Sequence, residues 1–217
     1  MIFGSISYLN LLPFQVFMKR HIRHSGMKIG MNYKKNVPSQ INKALKSRQI
    51  DAGFISSIAS EKYHCTDLGI IADQVVHSVL VVEGEDEPDQ ESASSNRLAK
   101  ILGLQGKVLI GDKALKYHLD GGQGVDLATA WHDETQLPFV FGRLCCVSNC
   151  SQIRKLSQRF SRQSIKIPQY ILKREAEKRE ISAKQLLWYL KHIEYNMNHK
   201  SKKSLKLFLR KAKRKQR

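Results

Sequence analysis

The feature that most constrains this chain is an alternation of short β-branched runs with helix-forming stretches, with small polar residues at the junctions. Residues 2–7 alternate apolar and small side chains, as a buried strand does. Residues 10–13 form a turn, and Phe14, Phe17 and Met18 then share a face of a short helix over 14–21. Residues 27–31 fit a second strand, and Pro38 opens a helix carrying Ile41, Ala44 and Leu45 on one side. Residues 49–55 fit a third strand, closed by Ser56 and Ser57 as N-cap residues. A strand over 75–82, a helix capped by Ser94 or Ser95, a strand over 107–111 with a helix after Asp112, and a strand over 137–141 continue the pattern. Alternation of this kind specifies an α/β sheet protein. From Ser151 onward the pattern is helical, with amphipathic segments at 153–160, 168–178, 182–197 and 204–212. Ser182 and Gln185 have capping-box spacing.

A change of sheet near residue 80 gives two lobes joined by crossover strands. Residues 1–80 with 143–217 form the first lobe, and 81–142 form a reduced second lobe. Residues 200–217 form a basic tail free to fray. At 217 residues and 41% hydrophobic, the chain can bury a core of that size. Its opening residues lack the basic leader and apolar run of a secretory signal, and no apolar run approaches a membrane span. A soluble, cytoplasmic protein with no membrane partner is expected, and a homodimer is left open.

The net charge of +18 invites a nucleic-acid reading. Its distribution argues otherwise: residues 151–217 hold 21 Lys+Arg against 4 Asp+Glu, while residues 1–150 are nearly balanced. Without a recognition motif, this is the pattern of a solvated helical face, which would also draw in an anionic substrate. The four cysteines (Cys65, Cys145, Cys146 and Cys150) lack paired C-x2-C spacing. They are expected to be inert free thiols rather than metal ligands.

No P-loop, G-x-G-x-x-G, H-E-x-x-H or G-x-S-x-G is present, so no cofactor and no metal are expected. What remains is Asn10, Ser56–Ser57, Ser94–Ser95 and Asp112, each at a strand-to-helix junction. Ligands of open α/β sheets bind beyond the carboxyl ends of the strands, and helix N-termini there favour carboxylates. Such a set suits a small dianion. His132, Asp133 and Glu134 fit a solvated loop, with acid–base work as the alternative. His77 fits a strand histidine or a general base. Trp131 fits the core, and Tyr8 fits core and pocket equally.

Several segments, in order, resemble chorismate dehydratases. They are Ser7-Tyr8-Leu9-Asn10 with Pro13, Asp51-Ala52-Gly53-Phe54-Ile55-Ser56-Ser57-Ile58, Val76-His77-Ser78-Val79, Ser92-Ala93-Ser94-Ser95 with Leu98, Ile110-Gly111-Asp112, and Thr135-Gln136-Leu137-Pro138-Phe139-Val140-Phe141. The sister enzyme of the pathway, a dihydroxynaphthoate synthase, opens on S-P-C-P-N-D, which this chain lacks. The family's glycine before Leu137 is Gln136 here, and the second lobe is shortened. The resemblance implies a two-lobed type II periplasmic-binding-protein-like fold and cofactor-free conversion of chorismate to 3-[(1-carboxyvinyl)oxy]benzoate. It implies Asn10 and Ser78 as catalytic residues, and substrate contacts from Tyr8, Ser56, Ser57, Ser94, Ser95, Asp112 and Thr135. A non-catalytic anion-binding protein of the same fold and a dihydroxynaphthoate synthase-like enzyme are the alternatives.

Overall fold

The computed structural model describes residues 1–24 and 32–214. Strand β1 (Ile2–Ile6) lies between two parallel neighbours, β2 (Asn32–Asn36) and β3 (Ala52–Ser56). The strand expected at 27–31 lies outside the described residues. β3 begins three residues later than its apolar run, because Arg48 takes a left-handed φ of 56° and turns the chain there. Next come β4 (His64–Ala72) and β5 (Val79–Val82), with a bend between them where one strand over 75–82 is expected. β4 escapes the sequence pattern because His64, Cys65 and Asp67 interrupt its apolar run; only Leu68–Ala72 is continuously buried.

β5 pairs antiparallel with β6 (Lys107–Ile110) and β7 (Val125–Asp126), forming a small three-stranded sheet. The chain then returns through β8 (Phe139–Cys146), which lies antiparallel between β3 and β4. The large sheet therefore has the order β2-β1-β3-β8-β4-β9, closed at one edge by β9 (Glu194–Asn196). The expected divisions at 80/81 and 142/143 fall inside β5 and β8.

Helices α1 (Leu12–His24) and α2 (Pro38–Lys46) connect the first strands of the large sheet, and α3 (Ala93–Leu102), α4 (Gly111–Leu119) and α5 (Leu127–Thr135) serve the small sheet. The remaining helices are α6 (Cys150–Ser161), α7 (Gln169–Glu177), α8 (Ala183–Leu190) and α9 (His199–Arg214). The capping box at Ser182 and Gln185 forms as its spacing predicts. The helix expected through residue 197 stops at Leu190, because Glu194 and Asn196 pair with the exposed edge of β4. The basic tail is helical through Arg214 rather than frayed, since Leu205, Phe208 and Ala212 bury one side of α9. Phe208 meets Trp131 and Phe139 edge-on, and a second aromatic cluster joins Phe14 to Phe3, Phe54 and Phe160. No described helix is long and apolar enough to cross a membrane.

The cysteines are paired rather than free. The β4–β8 register sets Cys65 opposite Cys145, and Cys146 reaches Cys150 at the start of α6.

Candidate functional site

Where the carboxyl ends of β1, β3 and β6 face one another, the two sheets leave a cleft. Its walls are Ile6, Tyr8, Asn10, Pro38, Ile55, Ser56, Ile70, Val76, Ser78, Val79, Ser92, Ser95, Ile110, Gly111, Phe141 and Gly142, around a cavity of about 50 Å³. No carboxylate, imidazole or amine is among these lining residues.

The turn after β1 brings in Tyr8 and Asn10. The Asn10 backbone oxygen accepts the Tyr195 hydroxyl at 2.5 Å. Its side-chain Oδ1 is buried with no hydrogen-bond partner among the described residues. Such an acceptor costs free energy unless something fills it. The Tyr8 hydroxyl donates to Glu91, across the cleft. Burial first, then Glu91, pushes this phenol well above its ordinary range, so it stays protonated. Burial does the same to Tyr189 and Tyr195.

Ser78 is 1% exposed, and its Oγ lies 2.9 Å from the Tyr189 hydroxyl. Ser56 lines the opposite side, held by Asn42, whose amide donates to Ser56 Oγ and whose Oδ1 accepts the Ser56 N–H. Ser92, not Ser94 or Ser95, caps α3: its Oγ accepts the Ser95 N–H at 3.2 Å and donates to Ser95 Oγ at 2.8 Å. Ser95 Oγ accepts in this pair, so its own proton is not used there, and Ser95 lines the cleft.

Four expected contacts lie elsewhere. Ser94 Oγ accepts the Ile58 N–H behind the wall. Ser57 lies outside the lining, its hydroxyl buried and unpartnered among the described residues. Thr135 ends α5 and donates to the Trp131 carbonyl, away from the cleft. Asp112 also sits behind the wall: one oxygen accepts the Leu9 N–H at 2.9 Å and the other accepts Arg179 Nε at 2.8 Å. Burial lifts the Asp112 carboxyl, opposed by those two donors. His132, Asp133 and Glu134 lie on α5 rather than in a loop, and none lines the cleft. His77 is not in a strand; at φ 59° it sits in the crossover between sheets, its ring tilted against His118 and Trp188 and edge-on to His192.

Sequence reasoning missed Ser92, Gly111, Glu91 and Arg179. The Ser92-x-x-Ser95 spacing marks the cap, but the hydroxyls of Ser94 and Ser95 compete for that reading. Gly111 is required twice over. It has a φ of 64°, and a Cβ there would lie 2.7–2.9 Å from the Tyr8 ring. Among the described residues no group of three His, Cys, Asp or Glu side chains is placed to hold a metal.

A cleft between two α/β sheets, crossed by two connecting segments and lined at strand ends, is the architecture of periplasmic solute-binding proteins. Two solved structures agree. A protein of Archaeoglobus fulgidus matches with a TM-score of 0.68 at 14% identity, over 99% of this chain and 97% of its own. The periplasmic aliphatic sulphonate binding protein SsuA of Escherichia coli matches with a TM-score of 0.60 at 15% identity, over 98% and 90%. The family model for menaquinone biosynthesis matches residues 1–106 and 90–214, and the chain belongs to that family. It is also 45% identical to a chorismate dehydratase of Campylobacter jejuni, over 98% of both chains.

Proposed function

We propose that this protein is a hydro-lyase that converts chorismate to 3-[(1-carboxyvinyl)oxy]benzoate and water. The supporting observation is the 45% identity to a named chorismate dehydratase over nearly the whole chain, together with a cleft whose lining residues carry hydrogen-bonding groups and no carboxylate, imidazole or amine. A proton leaves the ring carbon bearing the enolpyruvyl ether, and its electron pair becomes the third ring double bond. The hydroxyl on the next carbon leaves as water, carrying off the proton that the acceptor has taken up. Aromatisation drives the reaction, so the protein's work is orientation and charge placement. With Tyr8, Tyr189 and Tyr195 held as neutral phenols and no lining carboxylate or imidazole, the substrate's own enolpyruvyl carboxylate is the proton acceptor.

Asn10 Oδ1 then accepts from the substrate hydroxyl, and the Ser78–Tyr189 pair lies against the leaving oxygen. Ser95, at the N-terminal end of α3, donates to a carboxylate, where the helix end also favours an anion. The lobes hinge at the crossovers 73–78 and 136–138. A doubly charged acid does not cross a bilayer unaided, so this reading puts the protein in the compartment that holds its substrate, which we take to be the cytoplasm. Incubation of purified protein with chorismate tests it. Loss of chorismate with an aromatic product one water lighter is expected by absorbance and mass; unchanged chorismate across pH 5–9 would favour a binding protein that does no chemistry (about the range over which buried groups titrate).

A further inference from the structure

We propose that Arg179 and Asp112 form a clamp that assembles only when the two lobes close and that sets the backbone on both sides of Tyr8. Both are positioning residues, and their catalytic consequence rests on the dehydratase reading above.

The guanidinium of Arg179 uses all three nitrogens on three different partners. Nη2 donates to the Ser7 carbonyl at 2.8 Å, Nε to Asp112 Oδ2 at 2.8 Å, and Nη1 to Glu175 Oε2 at 2.6 Å. The second oxygen of Asp112 accepts the Leu9 N–H. One ion pair therefore grips the carbonyl before Tyr8 and the amide after it. The Asp112 and Arg179 side chains are only 21% and 17% exposed, so solvent screens the pair little. Asn10, one residue on, is fixed separately by Tyr195.

The partners come from different lobes. Ser7 and Leu9 follow β1 of the large sheet, Glu175 is in the last turn of α7, and Arg179 comes just after its C-cap Lys178. Asp112 is in the first turn of α4, which packs on β5 and β6 of the small sheet. If the lobes part, Asp112 leaves with α4 while Arg179 keeps Ser7 and Glu175. Closure then completes the clamp and seats the Tyr8 ring on Gly111 in the same movement. A planar fork suits three divergent acceptors, and an ammonium cannot hold the same three in one plane. Misplacing reacting groups by about 1 Å can cost about a hundredfold in rate.

The test combines kinetics on chorismate with amide hydrogen exchange at Leu9, using R179K, R179M and D112N. We expect kcat to fall about thirtyfold or more in R179M and D112N and about tenfold in R179K, with KM moving less than about threefold. The R179M/D112N double variant should be no worse than the poorer single variant, and Leu9 exchange should speed up in all of them. Folded R179M with kcat within about threefold of wild type would overturn the clamp, as would additive losses in the double variant. Should R179M fail to fold, R179K and D112N carry the same comparison. If the wild type does not turn over chorismate, the dehydratase reading falls, and Leu9 exchange alone decides the clamp: unchanged exchange in R179K and D112N would overturn it.

Discussion

On the large-sheet wall of the cleft, Asn10 turns an unpartnered carbonyl oxygen inward, and no protein donor among the described residues meets it. On the small-sheet wall, Ser92 and Ser95 hydrogen-bond each other and leave a hydroxyl proton to give away. One wall is short of a donor and the other holds a spare one. A ligand carrying both a hydroxyl and carboxylates satisfies both walls at once, which a simple anion does not. The contrast explains how a binding-protein fold could accommodate an elimination. In the proposed reaction, the donor wall would hold the charge and Asn10 would meet the substrate hydroxyl.

The largest effects should come from Asn10 and Ser78, the two residues placed at the departing oxygen. Asn10→Ala and Ser78→Ala should each lower kcat about a hundredfold while circular dichroism and the thermal midpoint stay near wild type. A KM rise at constant kcat would instead make both residues binding groups, and the contrast between walls would collapse. Gly111→Ala comes next, because it strains a left-handed backbone and drives a methyl into the Tyr8 ring. It should cost about 1–3 kcal/mol of stability and about thirtyfold in kcat, read by denaturant unfolding and steady-state rates. The donor wall should behave differently. Ser95→Ala loses one hydrogen bond to a charged group, worth about 1.5 kcal/mol, so KM should rise about tenfold with kcat within about threefold. A matching fall in kcat would show that Ser95 acts in the transition state.

How much of this was legible follows from which interactions are local. The first strand, the Pro38 helix and the Ser182 capping box are written in neighbouring residues, and each appears where the pattern puts it; the turn expected at 10–13 comes earlier, at Leu9–Leu11, because Leu12 and Pro13 already open α1. β4 and β9 are not local. Their pairing is set by sheet register, and His64, Cys65 and Asp67 break the apolar run that would reveal β4. The Cys65–Cys145 pair is unreadable for the same reason, since 80 residues separate partners that only the β4–β8 register sets opposite each other. Asp112 was legible as a polar residue at a helix start. Its role was not, because its partners Leu9 and Arg179 are far off in sequence and lie on the other lobe. Thr135 shows the converse: a motif position can match while its hydroxyl bonds its own helix.

The smallest expected effect lies at the hinge joining the two walls. His77 sits in the crossover from β4 to β5, its N–H donates to Asp126 at 2.7 Å, and its ring meets His118 of α4, Trp188 of α8 and His192 beyond it. Burial, then His192 and His118, lower its pKa from 6.5 to about 4. An unfolded chain takes up a proton near pH 6.5 that the folded chain refuses until about pH 4. The contribution of His77 is therefore complete above that window, and stability falls as the pH drops through it. The ring is partly exposed, so solvent screening leaves about 1 kcal/mol. Asn tolerates the left-handed φ of 59° at this position, which makes His77→Asn a gentle probe. Between pH 7 and pH 4 the wild type should lose about 1 kcal/mol more than the variant in denaturant unfolding. Equal losses would mean that the crossover carries no proton-linked strain.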